Sequence, residues 1–299
     1  MDGIICVYKP AGYTSFDIIA IMRRLLNTKK IGHSGTLDPM AEGVLPVFVG
    51  AATKAVDFCP DTDKEYRAAF RLGVATDTQD ITGNVVYENS AFVPRNRLWD
   101  TMRGFVGEIE QTPPMYSAVK INGKRLYDLA REGKEVEREP RKVTVYSLNI
   151  EKFEEGEGVI TVSCTKGTYV RTLIHDIGME IGTGAVMTAL QRTRSNGFSV
   201  EDCRKLTELR EIFDTAPEKL KQFLMPIDRL FDCYPNAYLD EKQTEMFKNG
   251  AALNADLVRF DKIYNGLYSL YDSSGRMVAL VKIQRDHSLS AVQRFNYDD

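Results

Sequence analysis

Gly32-His33-Ser34-Gly35-Thr36-Leu37-Asp38-Pro39-Met40-Ala41-Glu42-Gly43-Val44-Leu45-Pro46 is the stretch on which the reading of this chain turns. Its apolar content is too low for a core strand, and its glycines and prolines exclude a regular helix. Gly32, Gly35 and Gly43 allow tight backbone paths that a Cβ would obstruct. Pro39 biases Asp38 toward an extended conformation. A carboxylate is therefore held on a stiffened loop with His33 and Thr36 close by, and such loops often carry chemistry. Composition also allows a plainer role, with Asp38 capping a helix that begins near Pro39.

Working outward, Gly3 to Tyr8 reads as a short buried strand ended by Lys9-Pro10-Ala11-Gly12. Ser15 is the expected cap of a helix from Phe16 to about Leu26, with Phe16, Ile19, Met22 and Leu26 as its apolar stripe. A lysine at such a turn is ordinarily exposed. Downstream, Val44 to Val49 predicts a strand, residues 53–58 a short helix, and Lys64 to Gly73 a half-buried strand. Thr76 to Gly83 is polar and turn-rich, but lacks the ligand spacing and terminal Glu of a calcium loop. Arg95 to Arg103 predicts a helix capped by Gly104, Asn122-Gly123 a sharp turn, and Lys124 to Arg131 a basic helix. Lys142 to Ile150 and Gly158 to Cys164 suggest paired strands. Arg171 stands near the start of the next helix, where a cation opposes the helix dipole unless an acid offsets it. Asp176 on the same helix is one candidate partner. Ala185 to Leu190 reads as a further strand, ahead of Arg192 and Arg194. From about residue 230, a helix at Glu241 to Lys248 and short strands near 257–260, 267–271 and 278–283 imply a small β module.

The composition bounds the chemistry. The 299 residues are 43% hydrophobic and 27% charged, which supports a globular interior. No stretch resembles a signal peptide or a membrane span, so a cytoplasmic protein is expected. Five scattered cysteines and three histidines support neither a disulfide framework nor a metal site. No cofactor is expected. The net charge is −3, yet residues 118–142 hold eight Lys/Arg against five Asp/Glu, and residues 57–89 three against seven. A basic face within an acidic protein is thus permitted.

Residues His33 to Pro46 resemble the signature of the bacterial tRNA pseudouridine-55 synthases. Four other blocks are similar to the same family: Lys9 to Ser15; Lys64-x-Tyr66 with Leu72 to Gly83; Pro113 to Gly133; and Cys164 to Gly178. The resemblance implies an α+β fold, with a mixed-sheet catalytic domain (residues 1–229) and a reduced, β-rich RNA-binding domain (230–299). It implies isomerisation of uridine 55 in the tRNA T-arm to pseudouridine, after the base is flipped from its stack. Asp38 would be the catalytic carboxylate, Arg171 its salt-bridge partner, and Tyr66 the platform for the flipped base. RNA contacts would come from Lys9, His33, Lys120, Lys124, Arg125, Arg131, Tyr169, Arg276 and Arg285. The partner is tRNA, the expected state a monomer, and no obligate protein partner is expected. Two other readings stay open at this level. One is a glycoside hydrolase pairing Asp38 with Asp77 or Asp80; the other is a non-catalytic RNA-binding or RNA-folding module.

Overall fold

A computed structural model describes residues 1–121 and 123–295. Asn122 of the expected turn and tail residues 296–299 lie outside the described residues.

The chain begins with β1 (Gly3–Lys9), α1 (Ser15–Leu25), β2 (Ile31–His33), β3 (Glu42–Val49) and β4 (Lys64–Leu72). A small hairpin of β5 (Val74–Thr76) and β6 (Val85–Glu88) precedes α2 (Arg95–Arg103) and β7 (Gly107–Gln111). An insertion carries β8 (Lys120–Ile121), β9 (Lys124–Arg125) and α3 (Leu126–Arg131). Then come β10 (Arg141–Glu154), β11 (Glu157–Cys164), α4 (Val170–Ile181), β12 (Ala185–Ser195), β13 (Phe198–Ser199), β14 (Arg204–Lys205) and α5 (Leu206–Thr215). These strands build one mixed sheet in the order β14-β1-β3-β12-β4-β11-β10-β7, with β2 added on β3 and β13 on β12.

Alternation of side chains along the strands decides what covers each face. In β1 and β3, Ile5, Val7, Leu45, Val47 and Val49 pack under α1 and α5. Their neighbours Ile4, Cys6, Val44 and Phe48 face the other way, into a core shared with Met277, Leu280 and Phe295 of the tail. A third cluster sets α2 and α4 against Tyr66, Ala68 and Phe70 of β4 and Ile160 and Val162 of β11.

The tail forms a second sheet from β15 (Asn236–Tyr238), β16 (Leu253–Asn254), β17 (Arg259–Phe260), β18 (Leu267–Tyr271), β19 (Met277–Ile283) and β20 (Ser288–Arg294), beside α6 (Glu241–Lys248). The expected helix at 241–248 and strand at 267–271 coincide with α6 and β18. Strand β20 carries no turn-bounded apolar run and escapes a sequence reading.

Local corrections have clear causes. The cap of α1 is Thr14, which exchanges side-chain and backbone hydrogen bonds with Asp17, so Ser15 is free for another use. Phe16 is 65% exposed and lies off the apolar stripe, which is Ile18, Ile19, Met22 and Leu25. The basic helix is shorter than expected because Lys124 and Arg125 pair with Lys120 and Ile121 as a hairpin. No helix starts at Pro39; the Ala41 amide instead closes a turn on the Asp38 carbonyl.

Candidate active site

Strand β1 runs along one edge of β3 for its whole length, whereas β12 and β2 share the other edge at opposite ends. The Asp38 loop leaves from the fork between β2 and β12. It is pinned along its length. Ser34 hydrogen-bonds the Asn196 side chain, and the Gly35 carbonyl accepts 3.0 Å from Arg192 Nη2. The Leu37 amide donates 2.9 Å to Ser15 Oγ. Lys9 Nζ donates to the carbonyls of Ala41 (2.6 Å), Pro10 (3.0 Å) and Pro39 (3.4 Å). Gly43, at φ +110°, permits the close passage of β12, since a Cβ there would lie 2.2 Å from the Arg192 carbonyl oxygen.

Lys9 is therefore corrected. It is 0% exposed and its ammonium is spent on the loop, so it is not placed to meet a phosphate from outside. Burial lowers its pKa to about 8.

The loop presents Asp38 to Arg171. Asp38 Oδ2 lies 2.9 Å from Arg171 Nε, with side-chain exposures of 35% and 4% respectively. The contact is an ion pair rather than an aligned hydrogen bond, since Nε lacks a well-directed acceptor. Arg171 is fixed from three other directions: Nη1 donates to the Thr78 carbonyl at 2.9 Å, Nη2 to the Tyr116 carbonyl at 2.9 Å, and Nη1 meets Asp80 Oδ2 at 3.3 Å. Two acids thus offset the cation at the start of α4, and Asp176 is not one of them. Desolvation raises the pKa of Asp38; Arg171 and Lys9 pull it down, and Asp80 adds to the rise.

Asp80 has no freedom to act as a second catalytic acid. Its Oδ1 accepts from Thr78 Oγ1 (2.9 Å), Thr82 N (2.9 Å) and Thr82 Oγ1 (2.5 Å), while Oδ2 faces Arg171. Asp77 is occupied by Asn84. A two-carboxylate hydrolase needs one acid free to exchange protons on the substrate, which neither supplies.

Tyr66 is 9% exposed and packs in the cluster that contains Leu37 and Ala41. Burial raises its phenol pKa, and the Arg192 guanidinium opposes that rise. Tyr169 precedes α4, with its backbone amide and carbonyl both held by the Gln111 side chain (2.7 and 3.1 Å). It is half-buried beside Ser117 and Asp38, as a pocket wall would be. His33 ends β2, and burial lowers its pKa.

Lys120, Lys124, Arg125 and Arg131 are exposed on the insertion. Arg125 and Arg131 both lie over the Tyr127 ring. Arg276 and Arg285 are exposed on the tail. Sequence reasoning missed Arg192, Ser15 as a loop clamp and Asp80 as the second partner of Arg171. Arg192 carried a usable signal, because it is in phase with Leu190 on an inward-facing strand. Among the described residues, no three His, Cys, Asp or Glu side chains gather as a metal site would require. None of the helices is long and apolar enough to cross a membrane, again among the described residues.

The mixed sheet thus carries a recessed Asp38–Arg171 pair at its fork, with Tyr66 packed in the cluster that includes Leu37 of the same loop. The chain of a solved "Cbf5-Nop10-Gar1 Complex" superposes on it with a TM-score of 0.74 and 27% identity, covering 98% of this chain and 85% of that one. The model of the TruB family pseudouridylate synthase N-terminal domain matches residues 23–170, and that of the tRNA pseudouridylate synthase B C-terminal domain matches residues 171–232. The tRNA pseudouridine synthase B of Clostridium perfringens is 40% identical over 285 residues, or 94% of this chain and 95% of the relative. That of Geotalea uraniireducens is 51% identical over 209 residues, covering 70% and 67%. This chain belongs to the TruB family of pseudouridylate synthases.

Proposed function

We propose that this protein converts uridine 55 in the tRNA T-arm to pseudouridine, with Asp38 as the catalytic carboxylate. Formation of pseudouridine in tRNA follows from the family; the position, the T-arm and the residue roles are our reading. The reaction breaks the uracil N1–C1′ bond, turns the base and joins C5 to C1′, with loss of the C5 proton. The observation that carries the assignment is the geometry of Asp38: a carboxylate still open to an incoming group, 2.9 Å from a buried arginine, on a loop pinned at every turn.

Asp38 works ionised, either attacking C6 or C1′ or balancing positive charge on the sugar. Arg171 favours that form and fixes its direction. A stacked uridine cannot reach such a recess, so the base is extruded first. Tyr66 then meets the flipped base, Tyr169 walls the pocket, and His33 occupies or stabilises the opened stack. Phosphates are met by Lys120, Lys124, Arg125 and Arg131 on the insertion and by Arg276 and Arg285 on the tail, a reading supported by their exposure and charge. We read the protein as a monomer working in the cytoplasm.

The test is reaction of the purified chain with unmodified tRNA and with an isolated T-arm hairpin, followed by nucleoside chromatography and site mapping. Pseudouridine at position 55 in both substrates is expected. Product at another position, or none from the hairpin, overturns the T-arm assignment.

A further inference from the structure

The five cysteines of the chain are free, and none of them enters the chemistry at Asp38. Two are brought side by side by the sheet. Strands β1 and β14 pair in parallel, with Val7 opposite Arg204 and Tyr8 opposite Lys205. One step back along both strands stand Cys6 and Cys203. The register carries through that step, because Cys203 is itself extended (φ −85°, ψ 147°). Partners across neighbouring strands point to the same face. Accordingly, Cys6 belongs to the apolar cluster built on Ile4, Val44 and Phe48, and Cys203 packs against that same cluster. Neighbouring strands lie about 4.8 Å apart, within the roughly 4.4–6.8 Å between Cα atoms that a disulfide spans.

The two thiols are unequal. Cys6 is 1% exposed, and burial pushes its thiol well above the ordinary range. It is shielded from solutes and slow to ionise. Cys203 is half-buried beside β14, the strand that ends the sheet. Its sulfur donates a weak hydrogen bond to the Ser199 carbonyl at 3.4 Å. An oxidant therefore meets Cys203 first, with Cys6 alongside it. A partly open thiol with a second thiol in reach is the arrangement of a reversibly oxidised cysteine. Cys59 lies in the same cluster, but its sulfur is engaged elsewhere, donating to the Asp61 carbonyl at 3.1 Å and accepting from Asn196 Nδ2 at 3.4 Å.

We propose that Cys203 is a site of reversible oxidation by a hydroperoxide and that Cys6 is its resolving thiol, closing a disulfide between β14 and β1. The proposal stands apart from the roles assigned at Asp38. In the first step the Cys203 sulfur attacks the peroxide and the O–O bond breaks. One oxygen stays on sulfur as a sulfenic acid; the other leaves with the thiol proton, as water or an alcohol. In the second step the Cys6 sulfur attacks the sulfenic sulfur. The S–S bond forms, the S–O bond breaks, and the hydroxyl leaves with the Cys6 proton as water. Each thiol sulfur has then given up one electron, and the peroxide has gained two. The bridge closes a loop of about 200 residues, which restricts the unfolded chain. It also spares Cys203 irreversible oxidation to sulfinic acid.

The test exposes the native full-length chain, Cys6→Ser and Cys203→Ser to hydrogen peroxide and quenches with acid. Remaining thiols are blocked with excess N-ethylmaleimide during unfolding, and peptides are mapped by mass spectrometry without reduction. In the unaltered chain a Cys6–Cys203 linkage within one molecule is expected, with a thermal midpoint raised by several degrees. Dithiothreitol should remove both. In Cys6→Ser, dimedone should trap Cys203 as the sulfenic acid, and sulfinic acid should accumulate without it. Cys203→Ser should form no bridge and show no rise in midpoint. Oxidation of Cys203 without linkage to Cys6, a bridge to another cysteine, or a bridge between two molecules overturns the inference. So does a Cys203 that remains a thiol at a dose that oxidises the exposed Cys233. Should a serine variant not fold, the peptide map of the unaltered chain decides alone.

Discussion

The Ser15 hydroxyl accepts a 2.9 Å hydrogen bond from the Leu37 amide, so the first turn of α1 holds the residue next to Asp38. Both groups are buried, at 1% and 3% exposure. Ser15→Ala strands the Leu37 N–H at a cost of about 1–3 kcal/mol. The expected result is a lower thermal midpoint and slower single-turnover chemistry, with tRNA affinity largely kept. Thr14→Ala is the control, because it removes the true helix cap without touching the loop. Equal chemical defects in the two variants would show that Ser15 matters only to the helix.

Asp38→Asn should nearly abolish pseudouridine formation while leaving RNA binding in place, since the amide matches the carboxylate in size but carries no charge. The acid limb of the rate profile carries the same information. Burial raises the Asp38 pKa above its ordinary 3.8, so activity should fall on acidification at a pH higher than an exposed aspartate would give. Removing Asp80 by Asp80→Asn takes away a neighbouring negative charge and should move that limb downward. A limb that does not move, in a variant with native circular dichroism, would show that Asp80 is not felt at Asp38.

Much of this site was legible in the sequence because its parts are local. Asp38 sits among glycines and prolines that announce a built loop, and Lys64-x-Tyr66 places both side chains on one strand face. Most of the tertiary partners were hidden for a physical reason. The clamp on Leu37 comes from a serine whose apparent role was taken by the preceding threonine. The buried state of Lys9 depends on three carbonyls, two of them about thirty residues away. Such pairings are set by sheet register, which a single strand's pattern does not carry.

Asp176 offers a stability test independent of catalysis. It is half-buried on α4, and burial raises its pKa to about 6. The folded state therefore disfavours its charged form. The penalty is absent below the unfolded value near 3.8, grows as pH rises toward 6, and is complete above it. Asp176→Asn should stabilise the protein at pH 7.5 by about 1 kcal/mol, discounted for partial exposure, and by almost nothing at pH 3.5. Thermal melts at both pH values decide it. An equal gain at both would point to helix propensity rather than charge.

The tail bears on RNA binding through a prediction that must avoid its structural role. Met277, Leu280 and Phe295 complete the core against Ile4, Val44 and Phe48 of the catalytic sheet. Removing residues 230–299 would bare that face, so aggregation or loss of the main thermal transition is the expected result, and the deletion says little about RNA. Charge reversal is the sharper instrument. Arg294 is a poor choice, since its guanidinium lies 4.0 Å from the Phe247 ring and bonds that residue's carbonyl at 2.8 Å. Arg285 is exposed in the turn between β19 and β20, and Arg276 is exposed at the β18–β19 turn. If both meet phosphates, Arg276→Glu/Arg285→Glu should weaken tRNA binding several-fold and flatten its salt dependence by about one to two phosphate contacts. The rate from a saturated complex should stay near that of the unaltered chain, because neither side chain belongs to the Asp38 recess. A folded variant with unchanged affinity and salt slope would reduce the tail to a cover for the sheet.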